Sequence, residues 1–235
     1  MIEVIPAIIP KTFDELCHKL SLVSGVISTV QIDILDGKFT PYKTWPNILN
    51  PDSDFVKIIR EEEAFPYSED LEFEVHLMVS DPVSFFQPWV SAGAKRVIVH
   101  VESFENTEKA KQCIESFYNQ YGGDGSFLGV ELTLAIKIDT PLSSVAELIP
   151  LVDSVQCMGI AEIGVQGQPF DDRTLSLIEN IHQEYPEKII SVDGGINVNT
   201  AKRVVGVGAT RLVVGSALFE SADMLGTIET LENLV

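Results

Sequence analysis

Strand-like and helix-like stretches alternate along the whole chain, and this alternation restricts the possible folds more than any single residue does. Runs rich in β-branched residues fall at Ile2–Ile9, Thr29–Leu35, Glu72–Val79, Arg96–Val101, Leu128–Ile138, Val152–Met158, Lys188–Val192 and Arg211–Val214. Between and after them lie helical patterns: Phe13–Val23 with Thr12 placed to cap it, Phe55–Arg60, Asp81–Trp89, and Thr107–Tyr118, terminated by Gly122-Gly123. Four more follow at Pro141–Leu148, Asp171–Glu184, Thr200–Val205 and Ser221–Leu234. Such a rhythm requires parallel strands joined by crossover helices, and its closed eightfold form takes about 250 residues. The chain has 235. No linker rich in Gly, Ser or Pro divides it, so we expect one domain over residues 1–235, an α/β fold of the (β/α)8 TIM-barrel type. An open doubly wound sheet is the alternative, but nothing in it would stop the count at eight.

In a barrel of this kind, residues at the carboxyl ends of the strands gather around one pocket. The second strand reads Val30-Gln31-Ile32-Asp33-Ile34-Leu35 and ends at Asp36-Gly37. It therefore carries an acid inside a strand. A buried carboxylate is expensive unless it meets a cation, a metal or a proton-transfer task. His76 in the third strand and Asp193 at the end of the seventh would meet Asp33 in the same pocket.

Charge and cysteine usage exclude several functions. Sixteen Lys and Arg stand against 35 Asp and Glu, giving a formal charge of −19 and a sequence pI near 4.4. Such a field repels nucleic acid and anionic lipid, so neither is an expected partner. It also means that an anionic substrate must be held by local backbone dipoles. Cys17, Cys113 and Cys157 form no CxxC pattern, which indicates neither a disulfide framework nor a cysteine zinc site. The amino terminus carries an acid where a signal peptide needs basic residues, and no uncharged apolar run approaches the roughly 18 residues of a membrane span. A soluble cytoplasmic protein is expected.

Several segments together carry a family resemblance. Ile5-Pro6-Ala7-Ile8-Ile9, Ile32-Asp33-Ile34-Leu35-Asp36-Gly37-Lys38-Phe39-Thr40-Pro41, Val75-His76-Leu77-Met78-Val79 and Val192-Asp193-Gly194-Gly195-Ile196-Asn197 resemble ribulose-phosphate 3-epimerases. Ala92-Gly93-Ala94, Val99-His100-Val101-Glu102 and Val214-Gly215-Ser216-Ala217-Leu218-Phe219 extend the likeness over essentially the whole chain. The resemblance implies a barrel that inverts a sugar phosphate beside its carbonyl, most simply interconverting D-ribulose 5-phosphate and D-xylulose 5-phosphate. It implies Asp33 and Asp193 as the proton-transfer pair and as metal ligands, with His76 a third ligand. The cofactor is then a divalent metal, Zn, Fe(II), Mn or Co. Met78, Met158, Gly164, Gly167, Gln168, Gly194, Gly195, Gly215 and Ser216 are implied for substrate and phosphate binding. The expected partner is a small-molecule sugar phosphate, and the expected assembly a homo-oligomer.

The departures from the family pattern are equally specific. Gln31 stands where the family has a fourth ligand, a His. Its amide oxygen can coordinate a hard ion but is a poorer partner than imidazole for zinc or iron. Ala7 replaces a substrate-touching Ser, Leu35 replaces a cavity methionine, and Tyr42 replaces a smaller polar residue. The loop at residues 159–168 lacks the family's Pro-Gly-Phe-Gly-Gly-Gln type segment and is one residue longer, and Glu162 brings a negative charge toward the phosphate position. These changes leave open an epimerase for a related sugar phosphate, or a sugar-phosphate-binding barrel without metal or catalysis. A related barrel decarboxylase or synthase usually needs an Asp-x-Lys-x-x-Asp run on this strand, and Asp33-Ile34-Leu35-Asp36 has no lysine. His100 is read either as a residue orienting a metal ligand or as a satisfied core histidine. Lys137 is a candidate for neutralising substrate charge. His18 and His182 are read as surface residues, and Phe85, Phe86 and Trp89 as helix packing or a subunit contact.

Overall fold

The computed structural model describes residues 2–47, 52–122 and 129–234. Eight strands run in parallel, each paired with the next and the eighth with the first, so the sheet closes into a barrel. They are β1 (Glu3–Ile8), β2 (Thr29–Leu35), β3 (Glu72–Met78), β4 (Arg96–His100), β5 (Glu131–Ile136), β6 (Ser154–Met158), β7 (Ile189–Asp193) and β8 (Arg211–Val214). The helices around them are α1 (Phe13–Val23), α2 (Ser53–Ile59), α3 (Val83–Ser91), α4 (Thr107–Tyr121), α5 (Arg173–Glu184), α6 (Val198–Gly206), α7 (Ser216–Phe219) and α8 (Met224–Glu232). Thr12 caps α1 as the sequence suggests, its hydroxyl accepting from the Glu15 amide at 3.2 Å.

Two differences from the sequence reading have physical causes. Pro141–Leu148 forms no α-helix; the crossover from β5 to β6 holds only short 3-10 turns at Leu142–Ser144 and Ile149–Leu151. Pro141 and Pro150 bound the stretch and have no amide to donate, and the Ser144 hydroxyl bonds back to the Pro141 carbonyl, so the stretch is too short to sustain a helix. After β8 the short α7 precedes α8, because Gly215 turns the chain immediately into a new helix. Residue 128 of the expected fifth strand, and Gly123 of the expected helix stop, lie outside the described residues. Gly122 does cap α4.

Apolar burial lies mainly between the strands and the helices. Trp89, Phe55, Phe65 and Phe73 pack ring against ring on one side, with Phe86 against Phe117 beside them. Phe85, Phe86 and Trp89 of α3 are all buried in this core, so the chain itself covers them. A second apolar cluster joins α5, α6 and α8 to β6, β7 and β8. Cys17, Cys113 and Cys157 are free thiols. No helix among the described residues is long and apolar enough to cross a membrane.

The interior of the barrel is polar at its amino-terminal end. Glu74 of β3 accepts from Arg211 of β8 at 2.7 Å and from Arg96 of β4 at 2.9 Å, and Arg211 also bonds Glu3 at 2.7 Å and Ser191 at 3.0 Å. Glu74 and Arg211 are almost wholly buried. The opposite end is open and carries the site.

Candidate active site

Register decides which side chains meet. Asp33 pairs with His76 across β2 and β3, and Met158 pairs with Asp193 across β6 and β7. Side chains two residues apart on a strand share a face, so Gln31 lies on the inward row with Asp33, and Gln156 with Met158. The His76 Nδ1 atom is 3.3 Å from Asp33 Oδ1 and 3.2 Å from Asp193 Oδ2. Gln31 Nε2 donates to Asp33 Oδ1 at 2.8 Å and to Asp193 Oδ2 at 2.9 Å, and lies 3.3 Å from His76 Nδ1. The structure thus brings Asp33, His76, Asp193 and Gln31 together, as the sequence reading expects.

A second row of groups fixes His76 from behind. Its Nε2 is 3.0 Å from Nε2 of His100, whose Nδ1 is 3.0 Å from Glu102 Oε2. Glu102 also accepts from the Lys137 amide at 2.8 Å and from the Thr140 hydroxyl. Burial opposes charge on Glu102, but His100 and these other donors outweigh it and hold the carboxyl down at about 2. Burial holds His100 uncharged, lowered to about 4. A carboxylate can only accept, so His100 carries its proton on Nδ1 and accepts at Nε2, and His76 must donate from Nε2. The Nδ1 of His76 is thereby aimed at the two acids.

That arrangement calls for a positive charge between the acids and the ring. Burial pushes the Asp33 carboxyl up to about 6; the charge of Asp193 adds to this, and hydrogen bonds from His76 and Gln31 oppose it. Burial disfavours the His76 imidazolium, yet its hydrogen bonds to Asp193 and Asp33 raise it to about 9. A proton on Nδ1 or a metal ion satisfies the same demand, since a ligating imidazole must present that lone pair. One donor atom from each of Asp33, His76 and Asp193 lies within 4.8 Å of the others. The buried Oε1 atoms of Gln31 and Gln156 have no partner among the described residues. Two carboxylates, an imidazole and spare amide oxygens suit a divalent ion.

If the His100–Glu102 pair sets the tautomer of His76, Glu102→Gln should weaken metal binding about 10–100-fold, the usual effect of losing a partner behind a ligand. Chelator competition at fixed pH measures it; unchanged affinity would show that the pair is only packing.

Above this cluster opens a cavity of about 480 Å³. Asp33 and Asp193 reach it, as do Met78, Met158, Gly164, Gly167, Gln168, Gly194, Gly195, Gly215 and Ser216, every residue expected to touch substrate or phosphate. Leu35 packs with Met78, Met158, Ile160 and Ile163 as an apolar wall. Among the described residues the lining contains no Lys or Arg. Lys137 sits over the Phe39 ring, 4.3 Å from its centroid, rather than in the cavity. Glu162 is exposed and is not among the residues lining the cavity. His18 and His182 are exposed, as expected.

Backbone geometry shapes the upper wall. The Gly159 amide donates to the Asp193 carbonyl at 2.6 Å, and a Cβ there would lie 2.1 Å from the Gly194 oxygen, so only glycine allows this contact. Gly195 has φ +68°, and a Cβ would meet the Phe170 backbone at 2.7 Å. Asn197 and Thr200 form a capping box that starts α6 beside this turn.

Sequence reasoning missed three participants. Gln156 donates to Asp193 Oδ2 at 3.1 Å and lies 3.4 Å from His76 Nδ1; a glutamine on the inward row of β6 was the available signal. Gln166 bonds the Ala7 carbonyl at 3.0 Å and packs against Gly215, closing the long loop onto β1 and β8. Asp36 accepts from the Lys38, Phe39 and Ser80 amides, tying the loop after β2 to the end of β3.

The chain is also similar to known proteins over most of its length. The sequence profile described as "Ribulose-phosphate 3 epimerase family" matches residues 3–219. The chain is 28% identical over 240 residues to "Ribulose-phosphate 3-epimerase" of Eremothecium gossypii, covering 98% of this chain and 91% of that protein. It is 29% identical over 229 residues to the protein of the same name from Bacillus subtilis, covering 95% and 94%. Among solved structures, 3-hexulose-6-phosphate synthase from Salmonella typhimurium superposes with a TM-score of 0.69 at 17% identity, covering 99% of this chain and 98% of that one, a likeness of fold alone. With the profile match running almost end to end, this chain belongs to the ribulose-phosphate 3-epimerase family, a family of isomerases.

Proposed function

We propose that this protein epimerises a ketose phosphate at the carbon beside its carbonyl, with D-ribulose 5-phosphate and D-xylulose 5-phosphate the simplest pair. One observation carries the reading: Asp33 and Asp193, on β2 and β7, both reach the cavity floor with His76 between them. Inversion needs a base that removes a proton from one face and an acid that returns it to the other. Asp33, raised by its burial, and Asp193 are suited to exchange these roles with the direction of reaction. Met78 and Met158, packed against Leu35, give the cavity an apolar wall suited to keeping water from the reacting carbon. Phosphate is held by main-chain donors at Gly194, Gly195, Gly215 and Ser216, with the start of the short helix after β8 as in many barrels of this kind. Asp33, His76 and Asp193, with Gln31, would hold a divalent ion, Zn, Fe(II), Mn or Co. When bound, such an ion supplies positive charge beside the substrate oxygens as the proton leaves.

A decarboxylase or synthase reading has only the fold in its favour, since Ile34 and Leu35 leave no lysine between Asp33 and Asp36. A non-catalytic barrel would have no use for a buried acid and a half-buried one around one imidazole. The test is to incubate the protein with pentose and hexose ketose phosphates in deuterated water. Deuterium beside the carbonyl together with the inverted sugar is the expected result; tight binding without exchange overturns the catalytic reading.

A further inference from the structure

Gln156 is wholly buried inside the barrel, and its polar contacts are confined to the acid–imidazole cluster. Its Nε2 lies 3.1 Å from Asp193 Oδ2 and 3.4 Å from His76 Nδ1, while its Oε1 has no partner among the described residues. Gln31 approaches the same two residues from β2, with its own Oε1 equally unpartnered. Leaving a buried polar atom unsatisfied is unfavourable, and a leucine or methionine would fill the same space without that cost. A half-turn of the terminal amide exchanges its nitrogen and oxygen, so each glutamine can offer the cluster either a donor or a ligand oxygen.

We propose that Gln156 is a further donor of the metal centre, acting with Gln31 as an amide pair that biases the site toward oxygen-preferring ions such as Mn²⁺ over Zn²⁺. The proposal rests on the reading of Asp33, His76 and Asp193 as the metal-holding set. Amide and carboxylate oxygens suit Mn²⁺, whereas a set richer in imidazole suits zinc and iron. One imidazole against two carboxylates and two amides places this site on the oxygen side. Gln156 and Gln31 also reach the cluster from different strands, β6 and β2, so both can approach it at once.

The test is equilibrium binding of Mn²⁺ and of Zn²⁺, each alone, to the wild-type protein and to Gln156→Leu. Free Mn²⁺ is read by its paramagnetic resonance signal and Zn²⁺ by a competing chromophoric chelator. The expected result is a fall in Mn²⁺ affinity of about 10-fold or more in the variant, as for loss of a group beside a metal, with a smaller fall for Zn²⁺. Should the leucine variant be insoluble, Gln156→Met, which matches the side chain in length, carries the same measurement. A lower unfolding temperature in chelator with Mn²⁺ affinity unchanged would make Gln156 a structural residue and overturn the inference. Equal losses for both ions would overturn the selectivity. Wild-type protein that binds neither ion would instead overturn the metal reading on which this one stands.

Discussion

Asp33→Asn and Asp193→Asn should each lower turnover by roughly 10²-fold or more, because proton transfer by a positioned group is usually worth 10²–10⁴. Asparagine keeps the shape and hydrogen-bonding reach of the acid but cannot accept the proton. The two variants should also fail in opposite ways. The acid left intact still faces one side of the substrate, so each variant should exchange the proton of one epimer with deuterated solvent and not that of the other. Metal content must be measured alongside, since both acids also border the imidazole at hydrogen-bonding distance. A loss of exchange that follows metal content alone would reduce the acids to ligands. Either variant turning over at the wild-type rate would remove that residue from the chemistry.

Glu74→Leu is expected to cost about 3–5 kcal/mol of folding stability, the range for removing one partner from a buried ion pair. Glu74 is 1% exposed and receives both Arg211 and Arg96. Without it Arg211, 2% exposed, keeps only Glu3 and the Ser191 hydroxyl as partners among these groups. Denaturant unfolding monitors the loss. Replacing Glu74, Arg211 and Arg96 together by apolar residues of similar volume should recover most of it, because the penalty comes from stranded charge rather than from a missing attraction. The network fills the end of the barrel away from the cavity, so activity per folded molecule should change little. A single variant as stable as the wild type would mean that water reaches the arginines.

The parts of the fold legible in the sequence were those with strict period. The alternation on β2 placed Gln31 and Asp33 on one face, and the structure keeps them there. The crossover after β5 departs from the helical pattern expected over Pro141–Leu148, because prolines bound a stretch that holds only short 3-10 turns. Asp33, His76 and Asp193 were conspicuous as polar residues inside or at the end of otherwise apolar strands. Gln156 was not, since a neutral amide in an apolar strand announces itself only when its neighbours across the barrel are known. Glu102 became meaningful only once His100 was seen stacked on His76 with ring centroids 5.0 Å apart. The effect of Glu162 was equally unreadable, because sequence gives its charge and not its direction.

The register between β2 and β3 fixes the height of the Gln31 amide whatever side chain stands there. Glutamine and histidine codons differ only in their third base. One nucleotide therefore separates this cluster from an imidazole-richer one at the same strand register. On the proposed metal reading, a lineage living where one transition metal is scarce would change its ion by that route and leave the barrel, the cavity glycines and the acid pair untouched.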